Sequence, residues 1–371
     1  MRILEDKKHR YISYYETKTG IGARSNVYDA EGNETDIEPF MGTLPDLLDI
    51  GIMGHCAHGL SGLCALSGVQ CYQDGGHRIE DHLSFEDFKH IIDQAKGHVF
   101  QVALGGRGDP DMHPEIIKML HYCDHHGITP NFTTSGYGLK EELLPIIKQY
   151  CGAVAVSWYR HDITLRTIQR LLDFGIKTNI HYVLSNSSID EAIKRLSNDG
   201  FPQGINRIIF LMHKPIGQGV MNEVLQYDDP RVQKFFSLID QKGIADKTGF
   251  DSCGVPGLVR FTKNLHDASI EACEAGRFSA YVSNDNKLIP CSFEKDPAFA
   301  VSLKDHSLLE AWNSPAFNHF RSKHTTQCKT CPQHHRCGAC PIVPEISLCP
   351  EKQRKGVPYE NQSRSCDQFI L

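Results

Sequence analysis

Between about residues 47 and 240, short runs of aliphatic and β-branched residues alternate with stretches whose apolar positions recur every three or four residues. The first pattern suits strands and the second amphipathic helices, so their alternation predicts repeated βα units around a parallel sheet. The expected strands are LLDIGIM (47–53), VFQVALG (99–105), ITPNFTT (128–134), AVAVSW (153–158), IKTNIHYVL (176–184) and NRIIFLM (206–212). Six such units give an α/β fold, a partial (β/α)6 TIM-like barrel. The helices between them have readable ends. Ser84 suits an N-cap with Asp87 three residues on, Phe85, Phe88, Ile91, Ile92 and Ala95 form an apolar stripe, and Gly97 stops the run. Gly127 and Gly175 stop two later helices in the same way. Parallel α/β folds gather ligands at the C-terminal ends of their strands, so residues just past each run are the first place to look for chemistry.

The flanks read differently. Residues 1–44 suit a β-hairpin extension, with strands RYISYYETK and SNVYDAEGN, turn chemistry at Thr19-Gly20-Ile21-Gly22 and a polar turn from Asp29 to Asn33. The hairpin is expected to cover one edge of the barrel, which occupies residues 45–244. In residues 245–371 the pattern breaks into short segments rich in Cys, Pro and Gly, with too little apolar material for a separate core. Metal is therefore expected to organise them.

Charge and composition narrow the chemistry. A formal charge of -6 without any Lys/Arg block argues against nucleic acid as a partner. The charged start MRILEDKKHRYISYYE has no run apolar enough for a signal peptide or a membrane span, so a cytoplasmic protein with reduced thiols is expected. Its 14 cysteines then point to metal rather than disulfides, while most of the 20 histidines are scattered singly and suit surface or packing positions.

Nine of those cysteines lie in the last ~120 residues: Cys253, Cys273, Cys291, the run Cys328-x2-Cys331-x5-Cys337-x2-Cys340, Cys349 and Cys366. Cys56, Cys64 and Cys71 follow the first expected strand on a Gly-containing loop. Three thiolates at a barrel mouth suit three irons of a 4Fe-4S cluster whose fourth iron stays open to a small molecule. A structural zinc with His55 or His58 as fourth ligand, or plain reduced cysteines, are the other readings of the loop. Two zinc ribbons are the other reading of the tail. Cys123 and Cys151 lie in or beside helices and suit small buried residues.

The segments PDLLDIGIMGHC, CYQ, QVALGGRGDPDMHPE, TTSGYG and VAVSWYR, followed by the ordered tail cysteines, resemble the radical S-adenosylmethionine (SAM) enzymes with a C-terminal SPASM domain. The likeness covers nearly the whole chain after about residue 44. By resemblance, Cys56, Cys64 and Cys71 hold the SAM-binding 4Fe-4S cluster, although the family's C-x3-C-x2-C spacing is stretched here to x7 and x6. Tyr72 corresponds to the aromatic residue near the SAM adenine. Gly106, Gly108 and Asp109 correspond to the Gly-Gly-Glu-Pro-like turn that binds the SAM amino group, and Ser135 and Ser157 to polar SAM contacts. The tail gives Cys273-x12-Asn286-x4-Cys291, with Asn where the family has Gly, and an x2 rather than an x3 gap before Cys340. The resemblance implies two auxiliary 4Fe-4S clusters. Cys273, Cys291 and Cys340 would hold the first, with Cys253 a candidate fourth ligand. Cys328, Cys331 and Cys337 would hold the second, closed by Cys349 or Cys366.

The activity so implied is oxidoreductase chemistry: SAM is cleaved to a 5'-deoxyadenosyl radical that abstracts hydrogen from substrate, with a flavodoxin- or ferredoxin-type reductant. The family's usual substrate is a ribosomally made peptide, matured by crosslinking, epimerisation or backbone rearrangement. The ~45 residues before the barrel are too few for the winged-helix leader-binding domain of many such maturases. Leader recognition would then use the hairpin, a barrel-edge strand or a separate leader-binding protein. Other readings keep the fold with a small-metabolite substrate, or make the chain a non-SAM iron-sulfur electron carrier or a zinc-stabilised binding protein. His181 and Lys214, on or just after the fifth and sixth strands, are cavity candidates with equally good structural roles. No catalytic acid or base is singled out.

Overall fold

The computed structural model describes residues 1–353 except 69, 77, 160–161, 267–269 and 327, which leaves Cys366 outside the described residues. The chain divides into two compact units: residues 1–68, 74–178 and 275–320 form one, and residues 69–73, 179–274 and those from 321 onward form the other.

In the first unit the N-terminal segment makes three antiparallel strands instead of the expected pair: β1 (Arg2–Asp6), β2 (Tyr11–Glu16) and β3 (Ile21–Arg24). β3 falls on part of the expected turn because Gly20, at φ +77°, reverses the chain one residue earlier. The segment read as the second strand is reduced to a Tyr28–Glu34 bridge around the expected polar turn, where Asp29 accepts the N–H groups of Glu31 and Asn33 at 3.0 and 2.8 Å. This small sheet lies beneath the N-terminal ends of the barrel strands, not along an edge. Tyr15 stacks on Phe100 at 5.5 Å and reaches Gln101 Oε1 at 3.3 Å, while Arg24 pairs with Asp46 at 2.9 Å.

Above it, β4 (Leu47–Met53), β5 (Gln101–Gly106), β6 (Thr129–Thr134) and β7 (Val154–Ser157) pair in parallel and in chain order. Their large apolar side chains share one face. Leu48, Ile50, Ile52, Val102, Leu104, Phe132, Val154 and Val156 are buried on one face, each contributing roughly 1.5–3 kcal/mol. Asp49, Gln101, Ala103, Asn131, Ala155 and Ser157 occupy the opposite face, which is lined by small and polar residues. The helix Phe85–Ala95 starts where expected, with Ser84 Oγ accepting the Asp87 N–H at 3.1 Å.

The second unit continues the βα pattern with β8 (Thr178–Leu184) and β9 (Arg207–Met212), then adds a parallel β10 (Thr248–Phe250) too short for periodicity to reveal. The helix Pro230–Ile239, capped by Asp229, packs Phe235 edge-on to Phe210 at 4.9 Å and stacks Phe236 on Phe250 at 5.8 Å.

Residues 275–320 hold more apolar material than the tail was expected to have. They return to the first unit as β11 (Ser279–Val282), β12 (Lys287–Ile289) and β13 (Val301–Ser302). β11 pairs in parallel with β4, setting Tyr281 beside Asp49, and β12 and β13 continue antiparallel. Asn286 takes the expected left-handed conformation at φ +63°. Trp312, Phe317 and Phe320 are fully buried, and Trp312 Nε1 donates to Gly42 O at 2.9 Å. The segment therefore has its own apolar anchors. Among the described residues no helix is long and apolar enough to cross a membrane.

Candidate active site

The chain leaves β4 at Met53 and, three residues on, caps the short helix Ala57–Ser61 with Cys56, whose Sγ accepts the Gly59 N–H at 3.3 Å. An N–H aimed at sulfur at a helix start favours the thiolate, the form that binds metal. The turn after β5 presses onto this loop. An ideal Cβ on Gly106, at φ +110°, would stand 2.6 Å from Met53 O, and one on Gly108 would stand 2.9 Å from His55 O. Any side chain at either glycine would push the two loops apart. Arg107 ties the turn down through its N–H to Met53 O at 2.9 Å and its guanidinium to Glu80 at 2.6 Å.

Asp109 is the junction of three elements. Its Oδ2 lies 3.0 Å from His58 Nε2, its Oδ1 accepts the Ser135 N–H at 3.0 Å, and the Ser135 hydroxyl donates to Oδ2. His58 is 2% exposed, its Nδ1 has no hydrogen-bond partner, and the Tyr137 ring meets it edge-on at 4.9 Å. The sequence suggested His58 only as a zinc ligand. Here its Nε2 is turned to Asp109, a role signalled by nothing in the sequence except its place two residues after Cys56. Ser135, read as a SAM contact, spends its donors on the same carboxylate.

Asp111, absent from the sequence reading, is buried beside this junction, where the Thr134 hydroxyl and its own backbone N–H only partly offset the loss of water. Burial first, then the charge of Asp109, pushes its carboxyl up to about 7. Below the ordinary value near 3.8 the folded and unfolded chains both hold the proton. Between there and 7 only the folded chain keeps it, so stability falls as pH rises through this window and the cost stays in full above it. Asp111→Asn is therefore expected to stabilise the protein on the order of 3 kcal/mol at pH 8. Denaturation at pH 4, 6 and 8 would show the gain fading toward pH 4.

Ser157 ends β7, where its carbonyl accepts from Tyr159 N at 3.0 Å. On the inner strand face, burial raises Asp49 to about 6. Burial also lowers His181 on β8 to about 4, which keeps that imidazole neutral. Cys64 lies in the helix Leu63–Leu66 of the first unit. In the second unit, Cys71 O accepts from Gln218 N at 3.0 Å, and Gly217, at φ +64°, packs so tightly on Tyr72 that a Cβ would stand 2.5 Å from its carbonyl oxygen.

The tail thiols gather in pairs. Cys253 packs with Cys340 in one cluster with Val224, Ile342, Val343 and Ile346, and Cys340 Sγ accepts the Val343 N–H at 3.4 Å. Cys349 feels Cys328; burial pushes its thiol up while the N–H groups of Glu351 and Lys352 pull it back. Cys331 N donates to Cys328 O at 2.9 Å, and Cys337 ends a helical turn at Gly338, φ +55°. Cys273 belongs to the second unit and Cys291 to the first. Burial pushes the thiols of Cys123 and Cys151 up, as suits inert packing residues. No disulfide joins the described cysteines, and among the described residues no three His, Cys, Asp or Glu side chains converge as a ready metal cage. The donor chemistry still fits an iron-sulfur group: the sulfurs are soft ligands, and backbone N–H groups already point at several of them.

Comparison with known proteins agrees with this chemistry. Residues 273–340 match the SPASM family, an iron-sulfur cluster-binding domain. The chain is 25% identical over 304 residues to the mycofactocin maturase MftC of Mycobacterium tuberculosis, covering 75% of each. It is 20% identical over 269 residues to the PqqA peptide cyclase of Methylocella silvestris, covering 66% of this chain and 70% of that protein. Among solved structures, Streptococcus suis SuiB bound to S-adenosylmethionine superposes with a TM-score of 0.60 at 18% identity, over 81% of this chain and 73% of SuiB. SuiB bound to its precursor peptide SuiA gives 0.55 at 17% identity, over 83% and 72%. Residues 273–340 thus form an iron-sulfur cluster-binding SPASM domain, and over most of its length the chain is similar to peptide-modifying maturases and shares the fold of SuiB.

Proposed function

We propose that this enzyme matures a ribosomally made peptide by abstracting hydrogen from it. The observation that carries the reading is the His58–Asp109 bond, which makes the cysteine loop after β4 and the turn after β5 one hydrogen-bonded unit. Radical SAM chemistry needs cluster and SAM in contact, and this bond fixes the two segments proposed to hold them. When bound, the 4Fe-4S cluster supplies the electron that splits SAM into methionine and the 5'-deoxyadenosyl radical. Cys56, Cys64 and Cys71 are its proposed ligands. Asp109 receives the SAM ammonium: a carboxylate offers about four acceptor positions, and the described donors fill three of them, two from Ser135 and one from His58. His58 and Ser135 hold that carboxylate in one orientation, Gly106 and Gly108 let backbone approach closely, Tyr72 lies against the adenine, and Ser157 adds a polar contact.

For the tail we propose two auxiliary clusters. The shared packing of Cys253 and Cys340 supports Cys253, with Cys273, Cys291 and Cys340, in the first. The proximity of Cys349 to Cys328 supports Cys349 over Cys366, with Cys328, Cys331 and Cys337, in the second. A peptide substrate is supported by the maturases and the peptide cyclase that the chain is similar to. The electron donor is proposed to be a flavodoxin or ferredoxin in the cytoplasm, and leader recognition to use a separate protein or a sheet edge. Anaerobic reconstitution with iron and sulfide, then addition of dithionite and SAM, should release 5'-deoxyadenosine. Co-expression with a short peptide encoded beside the gene should change that peptide's mass. Iron-loaded enzyme that makes no 5'-deoxyadenosine with or without that peptide would overturn the proposal.

A further inference from the structure

Between Gly105 and Gly108, in the turn after β5, Arg107 carries the only side chain. Its Nη1 donates to Glu80 Oε2 at 2.6 Å, with Gly54 O and Asn284 Oδ1 both at 3.4 Å. Asn284 closes the triangle: its Nδ2 donates to the same Glu80 oxygen and to Asp81 O, each at 3.0 Å. These residues come from three separate parts of the chain. Glu80 and Asp81 belong to a segment that runs beside the exit of β4, where Leu83 N donates to Ile52 O at 3.0 Å, Glu80 N donates to Gly54 O at 3.2 Å, and His55 Nδ1 lies 3.1 Å from Glu80 O. The fit is close enough that a Cβ on Gly54 would collide with Asp81 O. Asn284 lies in the turn between β11 and β12, inside the SPASM domain. Asn286 docks that turn a second time, donating from Nδ2 to Asp87 Oδ1 at 3.3 Å in the first turn of the helix Phe85–Ala95.

A partly exposed ion pair contributes little to stability by itself, so the reason for this arrangement lies in what it connects. Gly106 and Gly108 let backbone approach closely, but glycine also has the most conformational freedom to lose. A turn not already held in its binding shape lowers ligand affinity by the fraction of time it spends out of that shape. The planar guanidinium suits the task of holding such a turn, because its donors are fixed in one fork and can meet several acceptors at once. Here those acceptors sit on the root of the cysteine loop, on the segment beside it and on the SPASM domain.

We propose that Arg107 is a positioning residue through which the SPASM domain sets SAM affinity: with Glu80 it fastens the turn of Gly106, Gly108 and Asp109 to Asn284, so that the β11–β12 turn keeps the SAM-binding turn in its binding shape. This rests on the SAM site proposed above, and the experiment separates the two. Full-length enzyme is reconstituted anaerobically as wild type, Arg107→Met, Asn284→Ala, the double variant and Asp109→Asn. Iron and sulfide are counted, melting temperatures are recorded, SAM binding is measured by calorimetry, and KM for SAM and kcat are taken from 5'-deoxyadenosine formation. Per iron-loaded enzyme, the Kd and KM for SAM should rise about tenfold in Arg107→Met and about three- to fivefold in Asn284→Ala, with kcat falling less than KM rises. The double variant should bind SAM no more weakly than Arg107→Met, because the two side chains act through one contact. Asn284→Ala removes only a partly buried amide, so it keeps the test decisive if Arg107→Met loads iron poorly. A merely structural role would lower melting temperature and leave SAM affinity of the loaded enzyme unchanged; that result, or losses that multiply in the double variant, overturns the proposal. If Asp109→Asn binds SAM as the wild type does, the SAM-site reading itself has failed instead.

Discussion

Asp109→Asn is expected to cut 5'-deoxyadenosine formation by about 100-fold or more and to raise the SAM concentration needed for half-maximal rate. Hydrogen bonds to an ionised group are worth about 1.5–3 kcal/mol each, and breaking a buried charge pair costs about 3–5 kcal/mol. At about 1.4 kcal/mol per tenfold, loss of the ammonium's partner alone accounts for the 100-fold. Asparagine also turns an N–H group toward donors that meet a carboxylate oxygen in the wild type, so the His58 and Ser135 contacts weaken together. Ser135→Ala, which leaves the charge in place, should cost only about tenfold, in line with the loss of one charge-assisted bond. Steady-state rates across SAM concentrations, normalised to bound iron, check both. An Asp109→Asn enzyme within threefold of wild type would remove Asp109 from the site.

Trp312→Ala is expected to destabilise the protein by about 3–5 kcal/mol, as large-to-small changes at buried aromatic positions do. The indole is fully buried, and its N–H is the donor to Gly42 O, so alanine leaves both a cavity and an unsatisfied carbonyl. The loss should appear in denaturant or thermal unfolding, together with poorer retention of iron. This residue lies in the segment that the sequence suggested had too little apolar material for a core; a loss below 1 kcal/mol would restore that view. For the same reason, a chain cut before residue 275 should not give a stable barrel, because β4 would lose β11.

The strands β4 to β9 were legible because each is a run of four to seven residues rich in aliphatic and β-branched side chains, and the helix at Ser84 because its cap and stripe coincide. β10, β12 and β13 are two or three residues long and leave no period to read. β11 was missed for another reason. Its apolar run lies among cysteines and turns, and nothing local says that its partner is a strand more than two hundred residues earlier. The close backbone approach at Gly106 and Gly108 was legible, since it demands glycine there. His58, Asp111 and the ion pair that Lys214 makes with Asp251 were not, because each acquires its meaning from a partner that only the folded chain brings near.

The pairing of β11 with β4 also sets the order in which the molecule can be completed during synthesis. β4 is finished at Met53, but the strand that covers its outer edge ends at Val282. At translation rates of about 5–20 residues per second, that edge waits on the order of 10–50 s for its neighbour. Throughout that interval a strand with Leu48, Ile50 and Ile52 in its core offers unpaired backbone to any other nascent chain. Yield in a heterologous host should therefore depend on holdase capacity and growth temperature as well as on iron supply.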